Sequence, residues 1–317
     1  MEIMVSVCCT VFNHAPYLRK TLDGFVNQKT SFPFEVVIHD DASTDGSADI
    51  IREYCEKYPD LFVPILQTEN QYSKKVPITR TIVFPLMRGK YVAMCEGDDY
   101  WCDENKLQLQ VDYMEAHPDC SMCVHDTAYI NSEGQYLGSC VSGLRKDKDY
   151  NLRQIIKADG GNLCQTSSFL ARHHVLTQRP DSLNIPRVGD IPNLLHAGLC
   201  GYIHYIGRVM SCYRTGVAGS WTARTSKNKD SIIQQKTAEY EAFTRISLEL
   251  DPQYKSAFRL PRGLRLSILY RKGYGLGKLL LKPTHLGLVL WTHMHTFPRK
   301  LRKKLRTFRN RKERISL

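Results

Sequence analysis

What most constrains the fold of this chain is a regular alternation of apolar runs with helical patterns through its first third. Ile3 to Val11 reads as a buried strand, Ala15 to Asn27 as a helix, Phe34 to His39 as a strand, Ser47 to Tyr58 as a helix and Leu61 to Leu66 as a strand. Strands separated by helices cannot close as hairpins, so the pattern predicts a parallel sheet flanked by helices, an α/β architecture. Tyr91 to Cys95 continues it as a further strand. Thr79 to Arg88 has helical spacing disturbed by Pro85. Asp103 to His117 reads as a helix with Asp103 as N-cap, Leu107, Val111 and Met114 on one face, and Pro118 beyond its end.

The second half does not continue this repeat. Thr127 to Tyr150 reads as short strands with turn signals such as Ser132-Glu133-Gly134, Asp190 to Leu199 as a short helix, Tyr202 to Tyr213 as one or two strands, and Asp230 to Leu250 as a longer helix. The 42% hydrophobic content of 317 residues supplies a sizeable core. No apolar run approaches the roughly 18 residues of a membrane span; the longest candidate, Gly275 to Trp291, is interrupted by Lys278, Lys282 and Pro283. The first strand begins close to Met1 without a basic and then apolar leader, and the 11 cysteines are scattered, so the chain reads as cytoplasmic with reduced thiols. Cys120 and Cys123, with His125 nearby, lack a second pair at zinc-finger spacing and fit a strand from Ser121 to His125.

Charge is distributed unevenly. From Tyr254 to Leu317, 18 Lys and Arg face one acid, Glu313; this surplus of +17 within a total of +12 leaves −5 for the residues before it. A mildly acidic body with a basic appendage points to an anionic surface as partner. Leucine-rich pieces from Leu276 to Trp291 alternate with the basic groups, a composition suited to lipid headgroups. No nucleic-acid motif accompanies the charge, and no nucleic-acid partner is expected.

In an open α/β sheet, ligands bind beyond the carboxyl ends of the strands. Acidic clusters fall there: Asp40-Asp41-Ala42-Ser43-Thr44-Asp45-Gly46-Ser47 after the second strand, Glu96-Gly97-Asp98-Asp99-Tyr100-Trp101 after Tyr91 to Cys95, and Gly189-Asp190 at the start of a later helix. Adjacent carboxylates can hold a hard cation, Mn2+ or Mg2+, which typically completes its shell with substrate phosphates. That chemistry implies a diphosphate-bearing substrate. A dinucleotide-binding unit is disfavoured, because Thr10-Val-Phe-Asn-His-Ala15 after the first strand contains no glycine, and no P-loop motif occurs.

Taken in order, three stretches resemble the family 2 glycosyltransferases of the GT-A fold, bacterial surface-polysaccharide type. They are Val5-Ser6-Val7 through Asn13, Val36-Val37-Ile38-His39-Asp40-Asp41 through Ser47, and Arg88-Gly89-Lys90-Tyr91-Val92 leading to Gly97-Asp98-Asp99. The resemblance implies a Rossmann-like mixed sheet flanked by helices in a catalytic domain over residues 1–225; the basic, mostly helical extension over 226–317 lies beyond it and is read from its composition. The resemblance also implies inverting transfer of a sugar from a nucleotide-diphosphate donor, usually a UDP-sugar, to a glycan or lipid-linked glycan. Thr10 and Phe12 would line the nucleobase pocket and Asp41 would bond the base. Arg80 would contact the nucleotide, Asp98 would lie at the ribose or donor sugar and the metal, and Asp99 would ligate the metal directly. Asp190 would be the general base, needed because an acceptor hydroxyl is a poor nucleophile at neutral pH.

Trp101 invites stacking on a sugar ring, and Ser167, in Gln165-Thr166-Ser167-Ser168, lies where relatives often shape the acceptor pocket. Tyr213-Arg214 leads into Thr215 to Trp221 without the His many members carry there, and its two glycines suggest a loop closing over the donor. The Gln-x-x-Arg-Trp signature of processive polymerases is absent, which points to addition of a single sugar. Two alternatives share the fold or its chemistry. A sugar-nucleotide-forming nucleotidyltransferase should carry a Gly-rich basic loop after the first strand, absent here; an inactive glycan- or membrane-binding protein would have no need of Asp41, Asp98, Asp99 and Asp190 together. The expected setting is cytoplasmic, peripheral on the inner face of the cell membrane.

Overall fold

The computed structural model describes residues 2–139, 146–159, 163–186, 188–217, 229–272 and 284–296. They fall into two compact units, one formed by Met1–Asn184 with Val188–Arg224, the other by Thr225–Leu317 with Ile185–Arg187. The first unit opens with β1 (Val5–Val11), α1 (Ala15–Val26), β2 (Phe34–Asp40), α2 (Ser47–Lys57), β3 (Phe62–Leu66) and β4 (Tyr91–Met94). β3, β2, β1 and β4 are hydrogen-bonded in that order, all parallel, as the alternation requires. Thr79–Leu86 is a wide helical turn followed by a tight one rather than a regular helix. Pro85, inside the tight turn, has no N–H to continue a helical ladder.

β5 (Tyr100–Trp101), α3 (Lys106–Ala116), β6 (Cys120–Ile130), β7 (Tyr136–Ser139), β8 (Lys148–Tyr150), α4 (Leu152–Ala158), β9 (Leu170–Arg172), α5 (His173–Thr177), α6 (Asp190–Cys200) and β10 (Tyr202–Arg214) complete the unit. The sheet runs β3-β2-β1-β4-β9-β6-β10-β5, with β7 on β6 and β8 on β10. β9 is antiparallel to both neighbours, and β6 and β10 form a long parallel pair. α3 begins three residues later than Asp103 suggests: Asp103 Oδ1 accepts from the Asn105 N–H at 3.0 Å and Oδ2 pairs with Arg208 at 2.5 Å, so this acid shapes the approach to the helix.

Apolar layers form on both faces of the sheet. Val7, Cys9, Val36 and Ile38 meet Leu18, Leu22 and Phe25 of α1 and Leu107, Val111 and Met114 of α3 on one side. Cys8, Val37 and Val92 share the opposite layer with Val175 of α5 and Leu194 and Ala197 of α6. Ile191 through Gly198 of α6 are all buried, as expected for a helix apolar around its circumference.

The Arg88-Gly89 motif serves the amino end of the strands. Ser6 Oγ accepts from the main-chain N–H groups of Arg88 and Gly89 and donates to Glu35 Oε1 at 2.6 Å, while Arg88 Nε donates to Glu35 Oε2 at 2.8 Å. A β-carbon on Gly89 would stand 2.4 Å from the Ser6 nitrogen, so only glycine permits this approach.

The second unit contains α7 (Lys229–Glu249), α8 (Arg259–Arg271) and α9 (284–296). Leu266, Leu269 and Val289 form its apolar cluster, and the Phe243 and Phe258 rings meet at 6.0 Å. Buried Glu239 accepts from Arg265 Nε at 2.7 Å and from Gln235 and Lys236. Among the described residues, no helix is long and apolar enough to cross a membrane.

Candidate active site

At the carboxyl edge of the sheet, the loops after β1 and β2 are sewn together. Asn13, at φ +56°, receives the Thr44 N–H on Oδ1 and donates its own N–H to Ser43 Oγ. Asp45 Oδ2 accepts from the Ala15 N–H, and Oδ1 accepts both the N–H and the hydroxyl of Ser47. Burial alone would raise the Asp45 carboxyl, but these donors outweigh it and hold the pKa below its usual value. Much of the Ser43-to-Ser47 motif is therefore framework.

Asp41 is buried, and Oδ1 and Oδ2 accept the main-chain N–H groups of Gln71 and Tyr72 at 2.7 and 3.0 Å. A base contact from this carboxylate would share oxygens that already anchor the 70–72 loop. Thr10 is half-buried, with its carbonyl taking the Gly97 N–H at 3.0 Å, and the Phe12 ring is 41% exposed beside it in sequence.

The Asp98-Asp99 turn is gripped from two sides. From α1, the Thr21 hydroxyl faces the carbonyls of Gly97 and Asp99 at 3.0 and 2.6 Å. From the end of β10, the Arg214 N–H donates to Asp99 Oδ1 at 2.9 Å, and its Nε donates to the Asp98 carbonyl at 3.0 Å. A β-carbon on Gly97 would lie 2.9 Å from His14 Nδ1 and Val11 Cγ2, which explains why this turn begins with glycine. His14 Nε2 stands 3.9 Å from Asp98 Oδ2. Thr21 and His14 carry no signal in a linear reading, because each is linked to the acids only by the fold, while Arg214 is visible there only as part of the Tyr213-Arg214 pair, with no role assigned to it.

Burial, the neighbouring Asp98 and Glu96 together push the Asp99 carboxyl well above its ordinary range, against the opposing Arg214 N–H. Glu96 is pushed up to about 7, first by burial, then by Asp98 and Asp190. Asp190, first residue of α6, is thus close enough for its charge to be felt at the turn, and its own Oδ1 accepts from the Ile191 N–H at 2.8 Å.

Asp99 Oδ2 is buried and receives no hydrogen bond. An orphaned carboxylate oxygen among further acids suits a hard cation, whose charge would reverse the local cost of ionisation. Among the described residues no group of three or more His, Cys, Asp or Glu side chains converges as a complete cage. Asp98 and Asp99 therefore fit a cation that draws its remaining oxygens from a bound diphosphate.

Other expected residues lie elsewhere. Trp101 is 3% exposed, donates from Nε1 to the Ser167 carbonyl at 2.9 Å, meets Phe25 edge-on at 4.8 Å and has Lys106 Nζ 4.1 Å above its ring. Contrary to the sugar-stacking expectation, it has no face to offer a ligand. Ser167 is likewise fully buried, its hydroxyl 3.1 Å from that of Ser211, so it does not shape an acceptor pocket by contact. Arg80 faces residues 179–181, donating from Nη1 to Asp181 Oδ1 at 2.6 Å and from Nη2 to the Arg179 carbonyl at 3.1 Å. Of the glycine-bearing loop suggested as a lid, Thr215 to Val217 are described, with Gly216 at φ +81°, and the remainder, 218–221, lies outside the described residues.

An uncharacterized protein of Mycobacterium tuberculosis is 36% identical over 235 residues, covering 71% of this chain; the chain spans 63% of that relative's length. The Escherichia coli UDP-Glc:alpha-D-GlcNAc-diphosphoundecaprenol beta-1,3-glucosyltransferase WfaP is 29% identical over 112 residues, 35% of this chain and 41% of WfaP. The crystal structure of Staphylococcus aureus TarS 1-349 in complex with UDP-GlcNAc superposes with a TM-score of 0.54 at 16% identity, over 84% of this chain and 81% of TarS 1-349. That likeness establishes the GT-A arrangement of sheet and helices. Residues 6–178, more than half of the chain, match the profile of glycosyl transferase family 2, and the chain belongs to that family.

Proposed function

We propose that this chain transfers a single sugar, with inversion, from a nucleotide-diphosphate donor, a UDP-sugar, to a glycan or lipid-linked glycan. The observation behind this reading is the Asp98-Asp99 turn, with Asp99 Oδ2 lacking a donor and Asp190 felt electrostatically from α6. WfaP, by its name, uses UDP-Glc and a diphosphoundecaprenol-linked acceptor, and TarS was solved with UDP-GlcNAc. Both favour a UDP donor, and WfaP favours a lipid-linked acceptor.

Asp190 takes the proton of the acceptor hydroxyl as its oxygen bonds to the anomeric carbon. The bond from that carbon to the diphosphate breaks on the opposite face, and the nucleoside diphosphate departs with the electron pair. Mn2+ or Mg2+, held by Asp99 and Asp98, would supply positive charge to offset that developing on the leaving diphosphate. Thr10, Phe12 and Asp41 edge the base pocket. Arg80 reaches the nucleotide only by sharing or leaving Asp181, an exposed ion pair of small worth.

Asp190→Asn tests the reading. Transfer should fall by about a thousandfold or more, while UDP with Mn2+ still raises the melting temperature of the variant. Retention of full transfer by the variant would remove Asp190 from its role.

A further inference from the structure

The exposed side of α9 has an unusual composition. Across 284–296 the sequence Thr-His-Leu-Gly-Leu-Val-Leu-Trp-Thr-His-Met-His-Thr contains no Asp, Glu, Lys or Arg. One side is packed: Val289, Thr292 and Thr296 are buried, Val289 clusters with Leu266 and Leu269 of α8, and Thr292 approaches Gly263 so closely that a β-carbon there would lie 1.8 Å from its Oγ1. His285 Nε2 and the Tyr240 hydroxyl share a hydrogen bond at 3.1 Å. The other side presents Leu286, Leu290 and Met294, at 42%, 56% and 66% exposure. Their spacing of four residues puts them on one stripe of the helix.

A solvated helix face ordinarily carries charge, and a charge-free face with three large apolar groups needs a partner. The surrounding sequence says which kind. Lys278 and Lys282 precede the helix, and Arg299, Lys300, Arg302, Lys303, Lys304, Arg306, Arg309, Arg311, Lys312 and Arg314 follow it, against the single acid Glu313. Apolar insertion flanked by cations matches the acyl boundary and the phosphates of an anionic bilayer; a protein partner would have to bury the stripe while neutralising both basic flanks.

We infer that the Leu286–Leu290–Met294 face of α9 is the surface by which this protein sits in the headgroup region of an anionic membrane. The inference deepens the proposed action on a lipid-linked acceptor and rests on that reading for its purpose. It locates the contact on one helical stripe and gives the flanking cations an auxiliary, salt-sensitive part.

Flotation of the full chain with vesicles of phosphatidylglycerol and phosphatidylcholine, and with phosphatidylcholine alone, tests it. Wild type should float with the anionic vesicles, and Leu286→Ser/Leu290→Ser/Met294→Ser should partition about tenfold more weakly or worse. Leu290→Phe should bind as wild type. If the triple variant melts early, Leu290→Glu alone reads the same face. Unchanged binding of the variants would assign attachment to the basic run and overturn the inference. So would a wild type that ignores vesicles but dimerises through the stripe, becoming monomeric in the variant. Transfer to a water-soluble acceptor by the triple variant separates this outcome from failure of the catalytic reading.

Discussion

The main-chain N–H of Arg214 donates to Asp99 Oδ1 at 2.9 Å, while its guanidinium donates to the Asp98 carbonyl and, from Nη1, to the carbonyls of Asn131 and Ser132. One residue at the end of β10 thus fixes both the acid pair and the turn between β6 and β7. Its guanidinium also lies 4.4 Å over the Tyr17 ring. Arg214→Gln leaves the main-chain bond in place and strips donors from three half-buried carbonyls. We expect a loss on the order of 2 kcal/mol in urea unfolding and a larger proportional loss of donor affinity, read by titration of UDP with Mn2+. Donor affinity equal to wild type would show that Thr21 and the retained main-chain bond suffice to hold the turn.

Lys106, whose Nζ lies 4.1 Å over the Trp101 ring, introduces a pH dependence. It is fully buried, donates to Gln110 Oε1 at 2.7 Å, and burial pushes its pKa down to about 7, with Cys95 and Cys123 acting in the opposite direction. The unfolded chain holds this proton up to its ordinary value near 10.5, so between about 7 and 10.5 Lys106 binds more proton in the unfolded state and its own contribution to stability rises with pH. Lys106→Met removes the titration. Its stability advantage over wild type should be largest below pH 7 and shrink by several kcal/mol, roughly 3–5, as pH approaches 10.5. Parallel melting curves that keep a constant gap across that window would rule the effect out.

Trp101 should behave as a core residue. Trp101→Ala removes a ring packed between Phe25 and Lys106 and is expected to cost roughly 3–5 kcal/mol, with aggregation or loss of the folded state. Trp101→Phe should remain folded, lose the bond to the Ser167 carbonyl, and keep the wild-type KM for acceptor. A rise in acceptor KM in a fully folded Phe variant would restore the sugar-contact role that the packing excludes.

The parallel half of the sheet was legible because its strands alternate with helices whose apolar faces repeat at helical spacing. β6 was not. Ser121, His125, Asp126 and Thr127 are buried there beside Met122 and Val124, so a strand covered on both faces shows neither alternation nor an unbroken apolar run. Only the core of it, Ser121 to His125, could be read. Gly97-Asp98-Asp99 could be singled out only by its place after a strand and its order with Asp41 and Asp190, because acids in such loops also serve turns and caps, as Asp45 and Asp103 do here. Trp101 and Ser167 were misread because aromatic and hydroxyl side chains look alike in sequence whether they face a ligand or a buried carbonyl. Arg88 and Gly89 illustrate the converse: a family motif whose side-chain partners, Ser6 and Glu35, lie at the amino end of the sheet.

Arg179 holds the start of α6, where Asp190 stands, against Asn184. It is buried, donates from Nη2 to Asn184 Oδ1 at 2.9 Å and from Nη1 toward the Gly189 carbonyl at 3.4 Å, and its own carbonyl receives Arg80. Gly189 directly precedes Asp190, so the guanidinium sets where α6 begins. Burial, then the nearby Arg80, lowers its pKa to about 10, leaving it charged at neutral pH. Arg179→Lys keeps a charge but not the planar fork that reaches two acceptors at once. If Asp190 is the base, both Arg179→Lys and Arg179→Gln should lower kcat by about tenfold or more through misplacement of its carboxylate, with UDP affinity held at the wild-type value. A loss of UDP affinity equal to the loss of kcat would place Arg179 on the donor side instead, acting through Arg80.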